Sequence, residues 1–592
     1  MTSLFARAMF AFLCMATLPA AAADSIQWLR SDTDAFAQAR AQHRFVILYL
    51  EAVWCHWCHV MDEKTYGDAA VRAVLDAHYV PLRIDQDSRP DLSNRYRDYG
   101  WPATVIFAAD GNELVKRQGY IDAESFADLL NAVVRDPSQV ATDKTETVAA
   151  KPHAGTLDAP TRAVLFSRHR KTYDVRDGGL ATPQKYLDRD SVEYALVQAF
   201  DGDHDEAVMA RTTLDAARAL FDPVWGGVYQ YSTYGDWEHP HFEKLATVQG
   251  QYLRIYAMAA AASGKPADAK AVGEIKRYID AFLKSPDGAF YVSQDADLKP
   301  GEHSKEYFDL DDAKRRALGV PRVDKHIYTL QNGQIIEALA TSGELLGDKS
   351  SVDEAIKAAS WIGAHRALDG GGFRHDEHDA QGPYLGDTLA MGRAYLALYR
   401  ATADRAWLAK SSAAADFIAA NFATPDAGFV TAKTSGPIAT MPQMDENISI
   451  ARFANLLARY DGKHEHAAMA ESALRYLAAP AVALSEITEP GILLADDENH
   501  ADPLHLTVTG SKSDPEAAAL FSTLQHLPQW YKRIEWWDRA EGDLPNPDVG
   551  YPPTKRAAAF VCTESRCSLP IYTSEEVATF LKSSNANKRK PS

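Results

Sequence analysis

The chain is limited first by what it has little of. Past its first 23 residues it has no apolar run approaching the ~20 residues that cross a bilayer as a helix, so no stable membrane span is expected. It has no excess of basic charge. Its 62 Lys and Arg stand against 81 Asp and Glu, a net charge of -19 spread along the chain, which excludes nucleic acid as a partner. It also lacks the low hydrophobicity of disordered chains, with 46% apolar and 24% charged residues. Cysteine is scarce, with five in 592 residues. That length is several times what one compact core usually supports, so at least two domains are expected.

What is present begins with a leader. Arg7 is the one charge in residues 1–23; an apolar run follows from Ala8 to Leu18, then Pro19 and the small residues Ala21, Ala22 and Ala23. This reads as a removable secretory signal over 1–23, a retained anchor being the alternative, and the mature protein is expected in the periplasm or secreted. A lipid-attachment site at Cys14 does not fit, because Phe12 and Leu13 precede it where small residues are needed. Removing the leader takes away Arg7 and Cys14, so the net charge goes from -19 to -20. The remaining cysteines form two close pairs, Cys55 with Cys58 and Cys562 with Cys567, and an even number in an exported protein points to disulfide chemistry.

Residues 24–135 alternate between strand and helix patterns: strands over 45–50, 79–84, 104–107 and 114–117, helices over 71–77 and 123–134, with an Asp110-Gly111 turn. That is a compact α/β unit. Residues 136–158 carry Asp136-Pro137 and Lys151-Pro152 without periodicity and read as a linker. From 159 to 502 the pattern changes to long helices with apolar stripes, such as Tyr252, Ile255, Tyr256 and Ala259. Glycine-rich turns recur between helix pairs, at Gly178-Gly179, Gly226-Gly227, Gly288, Gly371-Gly372 and Gly428. Such repetition means stacked helical hairpins, as an open solenoid or a closed toroid. Residues 503–592 signal strands over 504–508, 533–537, 557–562 and 569–572 around a helix over 515–524, a small α/β elaboration.

The chemistry concentrates at Trp54-Cys55-His56-Trp57-Cys58-His59, directly after a strand and at the expected start of a helix. There the unpaired amides of the helix N-terminus favour the Cys55 thiolate. Cys55 is the natural attacking thiol, Cys58 one turn inside is the resolving one, and a protonated His56 would favour the thiolate further. Gly100-Trp101-Pro102, just before a strand, stands where a thioredoxin fold keeps its cis-proline. Two other readings use the same residues. Cys55, Cys58 and His59 satisfy the covalent haem attachment pattern, and the pair could be a structural disulfide or zinc pair. The strand before, the helix after and the Gly-Trp-Pro turn favour redox exchange, with neither cofactor nor metal.

The run Cys55-His56-Trp57-Cys58-His59-Val60-Met61, followed by Val80 to Asp85, Arg89-Pro90-Asp91 and Gly100-Trp101-Pro102, resembles the thioredoxin-like family typified by the spermatogenesis-associated thioredoxin-like protein and its bacterial DUF255-type relatives. The resemblance continues through Pro240-His241-Phe242-Glu243-Lys244, Gln294-Asp295-Ala296-Asp297, Asn332-Gly333 and Cys562 to Pro570, nearly the whole mature chain. It implies a multidomain fold: an α/β thioredoxin-like module followed by an all-α (α/α)6 toroid of the six-hairpin glycosidase type. Two departures stand out. Tyr49 occupies the position, six residues before Cys55, where ordinary thioredoxins keep a buried aspartate, which leaves Glu51 as the nearest acid for proton transfer. Thr247, Val248 and Gln249 replace a Tyr-Asp-Asn run of the family.

Toroids of this type often act on sugars through paired carboxylates or a histidine at one end of the barrel. The candidates are His241, Glu243, Asp295, Asp297, His375 and Asp387, for which local capping, pairing and turn formation is the favoured reading. Cys562 and Cys567 flank four residues between strand-like runs, a spacing that suits a hairpin disulfide. A relay of electrons to Cys55 and Cys58 would require the C-terminal segment to reach the module. The expectation is a thiol-disulfide oxidoreductase acting on protein thiols or disulfides, its toroid recognising the partner. The alternatives are a carbohydrate-active hydrolase or epimerase with an accessory module, and a non-catalytic assembly factor.

Overall fold

The computed structural model describes residues 26–140, 155–302, 304–379, 381–433, 436–563 and 566–588. The expected leader and most of the expected linker lie outside these residues.

The N-terminal module comprises α1 (Asp32–Gln42), β1 (Phe45–Glu51), α2 (His56–Lys64), α3 (Ala69–His78), β2 (Tyr79–Asp85), α4 (Pro90–Tyr96), β3 (Ala103–Phe107), β4 (Glu113–Gln118) and α5 (Ala123–Arg135). The sheet runs β2-β1-β3-β4, with β1 parallel to β2 and the other pairs antiparallel. β1 is apolar almost throughout because both its faces are covered. Val46, Leu48 and Leu50 pack with Phe36 of α1 and Leu92 of α4; Ile47 and Tyr49 pack with Leu75 of α3 and Leu130 of α5. This is the thioredoxin-like arrangement, with α2 leaving the end of the central strand.

The helical part closes on itself. Arg189–Asp201, Ala246–Ser263, Thr329–Leu346, Leu385–Thr402, Met444–Asp461 and Gly491–His500 pack against one another in turn, and the last returns to the first. Outside each lies a partner: His204–Ala217, Pro266–Tyr278, Lys349–His365, Arg405–Phe422, His464–Leu477 and, closing the ring, Ala159–Thr172. The inner helices are buried on most of their circumference, as in Leu385–Thr402, where fourteen residues from Leu385 to Tyr399 are buried. That explains why their apolar residues extend beyond a single stripe.

One device recurs between an outer helix and the next inner one. The chain turns at the glycine motif and returns through a β-bridge, such as Phe221 with Val228, Lys284 with Phe290 and Ala423 with Phe429. An amide side chain one turn into the next inner helix then pairs with the returning residue. Asn332 accepts from Phe290 N at 2.8 Å and donates to Phe290 O at 2.9 Å. Asn447 treats Phe429 in the same way at 2.9 and 3.0 Å. Gln249 treats Val228 so, both bonds being 2.8 Å. At Gly227, φ is +71° and an added Cβ would meet the Tyr278 ring at 2.5 Å, which restricts the position to glycine.

The C-terminal unit is a four-stranded sheet of Leu504–Thr509, Lys532–Trp537, Ala558–Thr563 and Arg566–Cys567, with Lys532–Trp537 at one edge, Arg566–Cys567 at the other and helix Pro515–Gln525 packed on it. The strand expected over 569–572 does not form. The chain turns back earlier, pairing Cys562 with Cys567, and later only Ile571 bridges Ala559.

The two α/β units occupy opposite ends of the toroid. Arg97 of the module pairs with Asp445 at 2.9 Å, and Asn94 donates to Glu446 at 3.3 Å, both at the N-terminal end of an inner helix. The C-terminal unit meets the other end, where Lys532 pairs with Glu344 at 3.0 Å and Ile534 N donates to Tyr460 Oη at 2.8 Å.

Candidate functional site

Cys55 is the N-cap of α2, and Cys58 N donates to its sulfur at 3.1 Å. The sulfurs of Cys55 and Cys58 are joined as a disulfide. The Trp101-Pro102 peptide is cis, as the Gly-Trp-Pro pattern leads one to expect. Cys55 and Cys58 pack with Ala52, Trp54, Trp101 and, from the toroid, Leu245. Under that cover Cys55 is 3% and Cys58 0% exposed, whereas Trp57 is 42% exposed and is the residue of the motif that faces solvent.

The toroid supplies most of the polar surroundings. His56 Nδ1 donates to Asp297 Oδ1 at 2.8 Å, and His59 Nδ1 to Asp297 Oδ2 at 3.1 Å. Gly301 N adds a bond to Asp297 Oδ2 at 2.8 Å. Burial pushes the Asp297 carboxyl up, but these donors outweigh it and hold its pKa at about 2. His59 Nε2 donates to Val53 O at 3.1 Å. With acceptors at both nitrogens, the His59 ring is suited to the charged form; burial opposes that form, but the bond to Asp297 and the charge of Asp295 raise its pKa overall. Burial lifts Asp295 to about 6 and Glu243 to about 7. His59, Asp295 and Asp297 offer ligand atoms within 4.8 Å of one another. The Asp297 oxygens already take donors from His56, His59 and Gly301, the geometry of a hydrogen-bonded carboxylate.

The remaining toroid candidates divide. His241 Nδ1 stands 3.9 Å from Glu243 Oε2, beside the same group. His375 and Asp387 lie apart from it, fully buried, with His375 Nδ1 donating to Asp387 at 2.8 Å and Nε2 donating to Asp87 O of the module at 2.6 Å. This histidine therefore fastens the module to the toroid. Burial depresses its pKa, but the Asp387 carboxylate and the Asp87 carbonyl raise it overall.

One expectation is corrected, and the hairpin disulfide is met without the relay. Glu51 does not stand ready as a proton acceptor, because Arg83 Nε donates to its carboxylate at 2.9 Å while the same guanidinium grips Asp62. Cys562 and Cys567 do form a disulfide, but at the opposite end of the toroid from Cys55 and Cys58, so the structure does not bring the two pairs together. The structure also adds residues with no sequence signal of their own. Asp87 accepts from Trp54 Nε1 at 2.7 Å and, through its backbone, from His375; Leu245 covers the disulfide.

Within the ring, a cavity of about 110 Å³ is lined by Glu193, Arg254, Glu337, Arg393, Arg452 and Glu498 among others, with Trp530 and Tyr531 of the C-terminal unit at its base. It is smaller than the ~300 Å³ from which ligand pockets usually start. Its charges satisfy one another: Arg254 and Arg452 hold Glu193 at 2.6 and 2.8 Å, and Arg452 also holds Glu498 at 2.7 Å. None of the expected carboxylate or histidine candidates lines it.

Parts of the chain are similar to known proteins. Residues 15–153 match the Thioredox_DsbH family model, described as "Protein of unknown function, DUF255", and the module is thioredoxin-like of that kind. The chain is homologous to spermatogenesis-associated protein 20 of Homo sapiens, 24% identical over 319 residues, which is 48% of this chain and 40% of the human protein. An uncharacterized protein of Caenorhabditis elegans is 22% identical over 310 residues, 47% of this chain and 42% of its own length. The match thus spans less than half the length of these relatives. The thiol:disulfide interchange protein DsbD of Ralstonia nicotianae is 37% identical over 97 residues, 16% of each chain. Among solved structures, cellobiose 2-epimerase from Bacillus thermoamylovorans is similar with a TM-score of 0.43 at 10% identity, over 54% of this chain and 86% of that one. The toroid is established by its own helix packing rather than by that likeness. Among the described residues, no helix is long and apolar enough to cross a membrane.

Proposed function

We propose that this protein carries out thiol-disulfide exchange through Cys55 and Cys58, with the toroid covering the pair and controlling what reaches it. The observation that carries this reading is the Cys55–Cys58 disulfide at the N-terminus of α2, with Trp101 packed against it. Cys55 attacks a substrate disulfide, a mixed disulfide forms, and Cys58 resolves it; run in reverse, the same steps oxidise a dithiol. No cofactor is needed in this scheme. Protein thiols or disulfides are the proposed partners, and the exposed ring of Trp57 offers them an apolar contact. A periplasmic or secreted setting belongs to the proposal, since two bridged cysteine pairs suit an oxidising compartment.

The carbohydrate reading has less support. Of its expected residues, His375 and Asp387 are engaged in docking the module, and Glu243, Asp295 and Asp297 are engaged with His56 and His59 of the redox motif.

The test is a redox titration of the full-length mature protein by thiol alkylation and mass spectrometry, with an absorbance spectrum of the same sample. Reversible cycling of Cys55 and Cys58 in a dithiothreitol buffer without a Soret band supports exchange. A pair that stays locked, or a haem spectrum, overturns it.

A further inference from the structure

We propose that Glu243, a residue of the toroid, is the proton-transfer group for exchange at Cys55 and Cys58, so that the second domain completes the redox site. The inference rests on the thiol-disulfide reading above and names a group within the same site.

Three of the module's polar groups are already engaged. Tyr49 fills the place of the buried acid and uses its hydroxyl to donate to Cys58 O at 3.0 Å. Glu51 is held by Arg83. Asp87 accepts from Trp54 Nε1 and from Gln86 Nε2, one donor on each oxygen. Glu243 differs from all three. It is 3% exposed, and its Oε2 is buried without a hydrogen-bond partner. The backbone N–H of His56, the residue after Cys55 and the first of α2, donates to its carboxylate. Two positions along, Leu245 packs on the disulfide. The two-residue strand Lys244–Leu245, paired with Ser293–Gln294, therefore brings this carboxyl to the helix end that Cys55 caps.

The charged and titratable groups facing Glu243 are His241 at 3.9 Å, Asp295, Asp297 and Tyr231 of the toroid, and His56 of the module. Burial is the main cause that lifts its carboxyl to about 7, and the charge of Asp295 adds to it. Both protonation states are then populated near neutral pH, the condition for general acid-base catalysis.

The steps balance. In the reduced protein Cys55 is a thiolate, Cys58 a thiol and Glu243 protonated. The Cys55 sulfur bonds to one substrate sulfur, the substrate S–S bond breaks, and the leaving thiolate takes the Glu243 proton. The Cys58 sulfur then bonds to that of Cys55 and expels the second substrate thiolate, while the Cys58 proton passes through the Glu243 carboxylate to that thiolate. Two electrons move from the cysteine pair to the substrate, which leaves as two thiols. Glu243 ends as the carboxylate.

The experiment follows single-turnover oxidation of the reduced full-length protein by oxidised glutathione from pH 5.5 to 8.5, for wild type, Glu243→Gln and Glu243→Asp, with the midpoint potential of each. Wild type is expected to show an inflection near pH 7. Glu243→Gln should be slower by about 100-fold at neutral pH and lose that inflection, at an unchanged potential. Glu243→Asp should keep an inflection at a reduced rate, and it decides the matter if Glu243→Gln does not fold. A Gln variant that keeps the wild-type rate and profile, or an Asp variant unchanged in both, overturns the role of Glu243 and leaves the exchange reading intact. Wild-type protein that does not exchange thiols at all overturns the exchange reading itself, and this inference with it.

Discussion

His56 Nδ1 donates to Asp297 Oδ1 at 2.8 Å across the boundary between the thioredoxin-like module and the toroid. His56 lies between the two redox cysteines, and the side chain of Asp297 is 1% exposed on a toroid loop. The residue type that tunes a Cys-x-x-Cys site is thus held by another domain. Docking and thiol chemistry share one hydrogen bond, and His59 adds a second to the same carboxylate.

Removing that carboxylate should loosen the domains. In Asp297→Ala the His56 and His59 rings lose their shared acceptor, and breaking such a buried charged contact costs roughly 3 kcal/mol. The pH window follows from the shifts. With its folded pKa held at about 2, Asp297 contributes docking stability that is full above the unfolded carboxylate range and lost as pH falls through about 2. His59, raised, contributes below its ordinary value and loses that contribution as pH rises through the raised one. Docking supported by both is strongest between roughly pH 4 and 6.5. Thermal unfolding of wild type and Asp297→Ala across pH 2 to 8 checks this, and curves that differ by a constant amount across that range would contradict it.

Cover by Leu245 should slow access to the reduced pair. Truncation in Leu245→Ala removes about 1–2 kcal/mol of apolar contact from a side chain that is partly buried against Cys55 and Cys58. Each 1.4 kcal/mol is a factor of ten in an opening equilibrium, so alkylation of the reduced cysteines should quicken about tenfold. Iodoacetamide labelling at fixed pH measures it. Equal rates would mean that reagents reach the sulfurs by a path that Leu245 does not control.

Much of this was legible in the sequence because its signals are local. The apolar run from Phe45, the N-cap cysteine and the Gly-Trp-Pro turn each impose their geometry within a few residues, and the glycine turns announced repeated hairpins. The role of Glu243 was not legible, since its meaning depends on a module nearly two hundred residues earlier docking against it. His375 was legible only as one of several toroid candidates; its partner in the module is a backbone carbonyl, that of Asp87, which no residue pattern encodes. Glu51 was misread because proximity along β1 says nothing of Arg83 across the sheet.

Tyr49 should matter for stability and not for turnover. Its hydroxyl donates to Cys58 O from a fully buried position, so Tyr49→Phe should cost about 1 kcal/mol. If Glu243 carries the proton, the exchange rate of this variant stays within about twofold of wild type, far from the 100-fold that loss of an acid-base group can cost. Denaturant titration and single-turnover kinetics on the same preparation separate the two effects. A large loss of rate at unchanged stability would assign the proton to the tyrosine.

The second disulfide should prove structural. Cys562 and Cys567 face each other between the edge strand of the C-terminal sheet and its neighbour, and the loop they close is short, so the chain-entropy model gives about 2 kcal/mol for the bridge. Replacing both with serine should lower stability by that amount while the midpoint potential and exchange rate of Cys55 and Cys58 stay unchanged. Distance requires this. The module meets the N-terminal ends of inner helices and the C-terminal unit their other ends; Met444–Asp461, with Asp445 at one end and Tyr460 at the other, has 18 residues, which at 1.5 Å per residue spans about 27 Å. Disulfide exchange needs sulfur to touch sulfur. If the serine variant instead lost turnover while keeping its stability, the C-terminal unit would have to leave its end of the toroid during the reaction, and the docked arrangement would be one state of a cycle.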